Sequence, residues 1–172
     1  MAVFSRDEIL KLIEKRQLKI SPFDKSQVGP GSIDLRLSNV FRVFNVEAKA
    51  IDIRDDTDYK SITRVVRLKK SGRLLMNPGQ LIHGITMEKI SLPDNISGRI
   101  EGRSRFARLG LLTHVSSGFM QPGVSGRIVL EMANLSPFTI AVHPGTRVCQ
   151  IILESVKGRA KYSGKFSGQT AP

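Results

Sequence analysis

The stretch Ser32-Ile-Asp-Leu-Arg-Leu37 alternates polar and apolar residues with a period of two. A strand with one face in the core has this period, because successive side chains point to opposite faces of a sheet. The run 40–46 predicts a partner strand, and the charged, turn-rich residues 47–62 predict an exposed excursion. Further runs of strand composition follow at short intervals: 63–68, 81–86, 96–101, 111–115, 126–132, 138–142 and 147–153.

Turn signals rich in proline, glycine and asparagine separate these runs. They are Asn77-Pro-Gly79, Pro93-Asp-Asn95, Gln121-Pro-Gly123 and His143-Pro-Gly145. Each of these residues favours a turn for its own reason, such as the fixed φ of proline or the freedom of glycine. Many short strands joined by turns predict an all-β fold, a distorted jelly roll or β-sandwich.

The N-terminus carries the pattern of one short helix. Ser5-Arg-Asp-Glu8 has the spacing of a capping box, in which the serine and glutamate side chains each bond the other residue's amide. Apolar residues with helical spacing follow and end near Gln17. This is the only helix that the sequence predicts. Since neither a repeat nor a linker is visible, residues 1–172 are predicted to form one domain, with 157–172 as a mobile tail.

The charge of the chain predicts an anionic partner. The chain has 172 residues and a formal net charge of +12, which attracts anions. Its basic residues are neither gathered in a lysine-rich tail nor interleaved with aromatics, and this disfavours nucleic acid. No apolar run approaches the roughly 20 residues that a membrane span needs. With no signal-peptide pattern either, a cytoplasmic location is predicted.

The cysteine and histidine content disfavours zinc. The single cysteine, Cys149, lies in a strand-like run without a basic neighbour placed to form a thiolate, so a buried structural thiol is predicted. His83, His114 and His143 have no ligand spacing. His114 stands among apolar residues of a predicted strand, which favours a satisfied structural histidine over a catalytic base.

Three arginines and a serine occupy Glu101-Gly-Arg-Ser-Arg-Phe-Ala-Arg-Leu-Gly110, here called the arginine loop. Guanidinium groups pair bidentately with phosphate oxygens, and glycine lets a backbone approach a ligand closely. Arginines so spaced in a tight loop can converge on one anion. Composition alone leaves a phosphate pocket and a solvated basic loop equally open.

The run Gly126-Arg-Ile-Val-Leu-Glu-Met132 places a carboxylate on a strand. Period-two alternation puts Ile128, Leu130 and Met132 on one face, and Arg127, Val129 and Glu131 on the other. If that second face is covered, the Glu131 carboxyl is desolvated, which suits acid–base chemistry. The alternative is an exposed charge on a solvated sheet face.

The tail Lys161-Tyr-Ser-Gly-Lys-Phe-Ser-Gly-Gln-Thr170 mixes a tyrosine, lysines and small residues. Such a segment either closes over a bound ligand or remains a disordered terminus. In order along the chain, six pieces resemble the deoxycytidine triphosphate (dCTP) deaminases of the dUTPase-like superfamily. They are Gly31–Leu37, Ser91–Asp94, the arginine loop with His114-Val-Ser-Ser117, Pro122-Gly-Val-Ser-Gly126, Val129-Leu-Glu-Met-Ala-Asn134 and the tail from Tyr162 to Gln169.

This resemblance implies roles for particular residues. Glu131 matches the glutamate that activates water and carries protons, with Ser104 and Arg108 as catalytic residues beside it. Val129 and Leu130 match the strand backbone that reads the base. The substrate-binding residues that it implies are Arg103, Ser104, Arg105, Phe106, Ala107, Arg108, Gln121, Val129, Leu130, Glu131, Tyr162, Lys165 and Gln169.

The resemblance also implies a reaction and an assembly. Water would convert dCTP to dUTP and ammonia without zinc, feeding the synthesis of dUMP and dTTP. Mg²⁺ would accompany the triphosphate, and a homotrimer would hold its active sites between subunits. Feedback by dTTP, and the choice between deoxyribose and ribose, stay open.

Two departures from the family bear on its chemistry. Arg105 stands where a second serine is common, and Gln121 stands where many relatives have an aspartate. The dUTPases use an acidic residue in that hairpin and usually have an apolar residue at the position of Glu131. These differences favour deamination over a dUTP diphosphatase and over a bifunctional deaminase–dUTPase. A non-catalytic nucleotide-binding regulator is a further alternative. A nucleic-acid-binding β-domain is disfavoured, because aromatic stacking platforms are missing.

Overall fold

The computed structural model describes residues 2–45, 50–69, 71–164 and 167–172. The helices in this part of the chain are α1 (Arg6–Glu14), α2 (Ser104–Ala107) and two 3₁₀ helices, Lys25–Gln27 and Tyr59–Ile62. The strands are β1 (Lys19–Ser21), β2 (Ile33–Arg36), β3 (Val40–Phe44), β4 (Thr63–Arg67), β5 (Leu74–Met76), β6 (Leu81–Ser91), β7 (Ile96–Gly102), β8 (Leu111–Thr113), β9 (Phe119–Met120), β10 (Ser125–Asn134), β11 (Ile140–Val142) and β12 (Arg147–Ser155). None of the described helices has the length and apolar character that crossing a membrane requires.

The strands form three antiparallel sheets. A six-stranded sheet has the order β4-β3-β6-β10-β8, with β1 beside β6. A four-stranded sheet has the order β2-β12-β7-β9, and β5 pairs with β11. Neighbouring strands are mostly distant in sequence, as in folds whose chain crosses repeatedly between two sheets. The predicted all-β fold of jelly-roll type with a short N-terminal helix is confirmed.

The core takes side chains from both larger sheets. Leu35 and Ile151 of the four-stranded sheet are fully buried, as are Ile82 and Leu130 of the six-stranded sheet. In β2 the alternation quoted at the outset sends Ile33 and Leu35 inward. Each such side chain contributes about 1.5–3 kcal/mol through burial. This packing holds β6 and β10 side by side, with one face against the core and the other free for a site.

Several local predictions are wrong. Ser5 is the N-cap of α1, but its side chain accepts no capping hydrogen bond, so the capping box does not form, and the helix ends at Glu14 rather than near Gln17. A second helix, α2, forms inside the arginine loop. The run 111–115 ends as a strand at Thr113, because His114 has a positive φ of 70° that a strand does not accommodate. The strand predicted for residues 40–46 is shorter in the structure, where β3 ends at Phe44. The last predicted residue, Val46, lies outside the described residues.

Cys149 is fully buried in β12. Desolvation by burial is the largest of the effects that raise the pKa of its thiol, with Glu88 and Asp34 acting in the same direction. A thiol in this environment stays protonated and packs as a small apolar group. The predicted structural role of Cys149 is confirmed.

Candidate functional site

The strand β10 lies along a cavity of about 830 Å³. Its side chains reach the cavity from the face opposite the core, since Leu130 and Met132 are fully buried while Arg127, Val129 and Glu131 line the cavity. The predicted division of the strand into two faces is confirmed for these five residues.

Ile128 contributes to both faces of the strand. It packs against the core, as the period of two predicts, and it also contributes to the lining of the cavity. The pairing of β10 with β6 shifts register between Arg127 and Val129, and the Ile128 amide donates to the Thr86 hydroxyl at 3.0 Å instead of to a ladder carbonyl. Such an irregularity turns the local backbone and re-aims side chains.

Glu131 is the only carboxylate that lines this cavity among the residues that the structure describes. Its Oε2 accepts a hydrogen bond from the Ser116 amide at 3.2 Å, and its main-chain oxygen accepts from the His114 amide at 2.8 Å. His83 of β6 is its register partner on the other side. The carboxylate is therefore anchored through one oxygen at the floor of the cavity, in a position to exchange protons with a molecule above it.

The sequence missed two residues beside Glu131 and misjudged a third. His83 lines the cavity, and the alternation of 81–86 carries that signal, because it separates His83 from the buried Ile82. The Ser116 amide lies in a loop without a pattern. His114 also lines the cavity, and its buried Nδ1 has no hydrogen-bond partner among the described residues, so it is not the satisfied structural histidine that the sequence favours.

Part of the predicted exposed excursion forms a wall of the same cavity. Ile51, Ile53, Tyr59 and Ile62 line it, and residues 46–49 lie outside the described part of the chain. The excursion is therefore not merely a solvated loop. It adds an apolar surface to one side of the site. The sequence did not indicate this surface, because the aspartates between Asp52 and Asp58 dominate the composition of the segment.

The tail lies along the edge of β10. The Gln169 carbonyl accepts from the Arg127 amide and the Ser125 carbonyl accepts from the Gly168 amide, both at 2.8 Å. Gly126 has φ 156°, and a Cβ there would meet the Gln169 backbone at 3.0 Å, so only glycine permits this approach. Tyr162 and Gln169 line the cavity, and their role in substrate binding stays a prediction.

The other residues predicted to bind substrate in the tail, the hairpin and β10 differ in their position relative to the cavity. Lys165 lies outside the described residues, and the mobility of the tail stays a prediction. Gln121, the substrate-binding residue of the hairpin, does line the cavity. The side chain of Leu130 is buried in the core, so only its backbone can face a ligand.

The arginine loop does not line the cavity within this chain. None of its substrate-binding candidates contributes to the described lining, namely Arg103, Ser104, Arg105, Phe106, Ala107 and Arg108. Arg103 is instead paired with Asp34 of β2 at 3.2 Å and donates to the Arg147 carbonyl at 3.3 Å. Ser104, Arg105 and Arg108 are exposed. The sequence places Ser104 and Arg108 beside Glu131, and a single subunit does not bring them together.

Packing fixes the position of the loop in spite of its exposure. Gly110 ends the loop with φ 84°, and a Cβ there would meet Ser136 at 2.7 Å. The Leu135 amide donates to the Gly110 carbonyl at 2.8 Å, and Phe106 packs against the core. The loop therefore leaves Ser104, Arg105 and Arg108 exposed to solvent on a base that is fixed by packing.

Among the described residues, no group of three or more histidine, cysteine, aspartate or glutamate side chains is placed to hold a metal ion. The expectation that Mg²⁺ accompanies a bound triphosphate stays a prediction.

A family model described as dCTP deaminase-like matches residues 3–156. Proteins named "dCTP deaminase, dUMP-forming" are similar along the whole chain. The one from Methanosphaera stadtmanae is 35% identical, covering 100% of this chain and 92% of its own, and the one from Corynebacterium kroppenstedtii is 37% identical, covering 99% and 94%.

A solved structure shares the fold. The crystal structure of 2′-deoxycytidine 5′-triphosphate deaminase from Agrobacterium tumefaciens has a TM-score of 0.69 and 24% sequence identity to this chain. The match covers 90% of this chain and 48% of the solved one, so the chain spans about half of that structure's length. By fold and by sequence the protein belongs to the dCTP deaminase-like family, and the predicted resemblance is confirmed.

Proposed function

We propose that this protein removes the amino group of dCTP by hydrolysis, with Glu131 as the group that takes and delivers protons. The observation that carries this proposal is the position of Glu131 as the one carboxylate of the described cavity lining, anchored by the Ser116 amide. The names of relatives that are 35–37% identical over nearly the whole chain supply the substrate.

The reaction transfers both protons of one water molecule. The first leaves the water as it attacks C4 and is delivered to N3 of the ring, and the second leaves the resulting C4 hydroxyl and is delivered to the amine as the C–N bond breaks and ammonia departs. Glu131 can serve in sequence, because its anchored Oε2 keeps the carboxylate facing the same place throughout. Most nucleobase deaminases activate this water on zinc. Here the carboxylate and backbone groups would orient it instead.

For the fate of the triphosphate we propose dUMP as the final product, contrary to the dUTP that the sequence predicts. The relatives are named as dUMP-forming. Loss of pyrophosphate consumes a second water, giving dUMP, pyrophosphate and ammonia from one dCTP. Gln121 supplies no carboxylate for that step, so Glu131 would activate the second water as well.

One time course tests both parts. The protein is incubated with Mg²⁺ and either dCTP or dUTP, and the nucleotides are separated. The proposal expects ammonia and dUMP from dCTP. Accumulation of dUTP would retain the deaminase and restore the sequence-based product. Conversion of dUTP alone, with dCTP unchanged, would overturn the deamination.

We further propose that a neighbouring subunit supplies the arginine loop to each cavity, in a homotrimer. Two observations support this. The arginines of the loop do not line the cavity of their own chain, and Arg105 and Arg108 are exposed. Apolar side chains in and near the loop are exposed as well. Leu109, Leu112, Val115 and Leu135 are 55%, 37%, 46% and 69% exposed. Exposed apolar side chains of this kind favour burial against another subunit.

A bound dCTP would then lie between two subunits. Its base would face Val129 and Glu131, and its phosphates would meet Ser104, Arg105 and Arg108 of the neighbour, with Mg²⁺ on the triphosphate. Guanidinium groups suit this task, since they bind phosphate oxygens in a fork and never lose their charge. Sedimentation tests the assembly, and an active monomer would rule it out.

A further inference from the structure

The proposed function leaves His83 without a role, although it is the side chain nearest to Glu131 across the sheet. The antiparallel register of β6 and β10 places His83 directly opposite Glu131. Residues so paired point to the same face, with their Cβ atoms about 4.5–5.5 Å apart. Both side chains line the cavity. His83 and Glu131 are therefore neighbours on the floor of the proposed active site.

The groups around His83 come from four elements. On β3, Arg42 is its register partner on the side away from Glu131, and the Phe44 ring meets the imidazole edge-on at 5.3 Å. The Tyr59 ring from the 3₁₀ helix meets it edge-on at 5.2 Å. Glu131 itself is on β10, and His114, the residue that follows β8, donates its amide to the Glu131 main chain on the side of β10 away from His83.

Arg42 does not compete for Glu131. Its Nε donates to the Pro172 carbonyl at 2.8 Å, one Nη donates to the Thr63 hydroxyl at 2.9 Å, and the guanidinium lies 5.8 Å from the centre of the Tyr59 ring. His83 thus separates a fixed cation from the catalytic carboxylate. It is the only titratable group between these two charges in the described register row.

The imidazole has the character of a neutral group. Its Nδ1 is buried without a hydrogen-bond partner among the described residues. Burial lowers the pKa of His83, the Glu131 carboxylate opposes that shift, and Arg42 adds to it. His83 is therefore uncharged at neutral pH and becomes an imidazolium only in acid.

We propose that His83 is a positioning residue that sets the acidic limit of turnover through its effect on Glu131. While His83 is neutral, Glu131 is free to take a proton from water. Once His83 is protonated, its charge stabilises the Glu131 carboxylate and opposes that proton uptake. The kinetic part of this inference rests on the proposed deamination, whereas the electrostatic coupling of the two side chains does not.

The coupling is tested by NMR titration of the histidine ring protons in the full-length protein. The chain has three histidines, and single substitutions assign them. Replacing the carboxylate in Glu131→Gln should lower the titration midpoint of His83 by about half a pH unit or more, because a nearby negative charge favouring the imidazolium is lost. The exposed His143 in the same spectra should keep its midpoint. An unchanged His83 midpoint overturns the proposal.

The role in turnover is tested by pH profiles of kcat and KM for dCTP. His83→Gln removes the titration and keeps a neutral polar side chain. We expect kcat near neutral pH within about threefold of the wild type, an acidic limb moved to lower pH, and an unchanged KM. His143→Gln is the matched control and should retain the wild-type profile.

The outcomes distinguish this inference from the proposed function. An acidic limb of His83→Gln that coincides with the wild type overturns the role of His83 while leaving deamination intact. Absence of dCTP turnover in every protein overturns the proposed function, and the NMR titration then still decides whether Glu131 and His83 are coupled. If His83→Gln loses its fold, the titration of Glu131→Gln, which leaves His83 in place, upholds or overturns the coupling.

Discussion

The strand β10 and the arginine loop are the two segments to which the family resemblance assigns most of the chemistry, and the structure treats them differently. β10 is complete within one subunit. Its neighbours β6 and β8 supply the groups around Glu131, and the cavity lies above it. The arginine loop is held on a rigid base, yet its arginines face outward. One segment forms the floor of the cavity, and the other lies outside it, which is why we propose that the loop serves the site of a neighbouring subunit.

The difference separates local from assembled information. The face on which Glu131 lies follows from the period of a strand, which the sequence states directly. The partner of Arg108 depends on which surfaces meet between subunits, and no period within one chain encodes this. A prediction from sequence that treats the two segments as one site therefore names candidate residues without showing how they meet.

The largest expected effect is that of removing the acid–base group from β10. Glu131→Gln keeps the size and the hydrogen bond to Ser116 but cannot take the proton of water. Since general acid–base catalysis contributes about 10²–10⁴-fold, kcat for dCTP should fall at least about 10²-fold. Steady-state kinetics and a binding titration check this, and nucleotide affinity should persist.

The matched control is Glu14→Gln on the exposed face of α1. A surface carboxylate changed to an amide alters stability by about 0.5 kcal/mol or less and leaves turnover alone. Near-normal turnover in a folded Glu131→Gln protein would instead favour the nucleotide-binding regulator.

The second effect sharpens the comparison by testing the arginine loop. Arg108→Ala should raise KM for dCTP about tenfold or more, because a charge-assisted contact to phosphate is lost. Arg73→Ala, an exposed arginine elsewhere, serves as the control. An unchanged KM would contradict a phosphate-binding role and favour the alternative interpretation, in which the arginine loop is a solvated basic loop.

Mixing the two variants asks whether loop and strand act in trans. When Glu131→Gln and Arg108→Ala subunits are unfolded together and reassembled in equal amounts, about one site in four receives both native residues if they come from neighbouring subunits. At dCTP concentrations well below KM, where sites carrying Arg108→Ala turn over slowly, activity near one quarter of wild type is then expected. No recovery would place both residues in a site within one subunit.

The extent to which sequence predicts this molecule follows the same division. The alternation in β2 and β10 identifies the buried faces, because each is a property of a few consecutive residues. The strands β1, β5 and β9 are missed, since two or three residues carry too little periodicity. The wall formed by Ile51 and Ile53 is missed because charged residues dominate that segment. The alternation of 81–86 indicates the face of His83, but its place opposite Glu131 is missed, because the sequence of a strand does not specify its pairing register.

A smaller effect is expected from the tail, which lies along β10. A chain ending at Lys161 loses Tyr162 and Gln169 from the cavity and the backbone hydrogen bonds to Ser125 and Arg127. KM for dCTP should rise several-fold, by about threefold to tenfold. The melting temperature should change little, since the tail adds no fully buried apolar side chain to the described core.

Thr170→Ala is the control for the truncation, because Thr170 is exposed at the end of the same segment. It should leave both KM and the melting temperature unchanged. Truncation without any change in kinetics would make the tail a terminus with no part in the site, and truncation that unfolds the domain would make it part of the core.

The smallest expected effect is that of removing zinc, and it bears on what the floor of the cavity is. His83 lies opposite Glu131 on β6, and His114 follows β8 on the other side of Glu131. All three have side chains that can bind zinc. The described residues nevertheless form no group placed to hold a metal, and the Glu131 carboxylate is already bonded to the Ser116 amide. A thiolate ligand is also absent from the described lining of the cavity. The single cysteine, Cys149, is buried in β12, and burial raises the pKa of its thiol. A zinc-selective chelator should therefore leave kcat unchanged, whereas removal of Mg²⁺ should raise KM for the triphosphate. If elemental analysis found stoichiometric zinc, and chelation removed both the zinc and turnover, these three residues would be part of a metal site, with Glu131 as a ligand or as the proton shuttle.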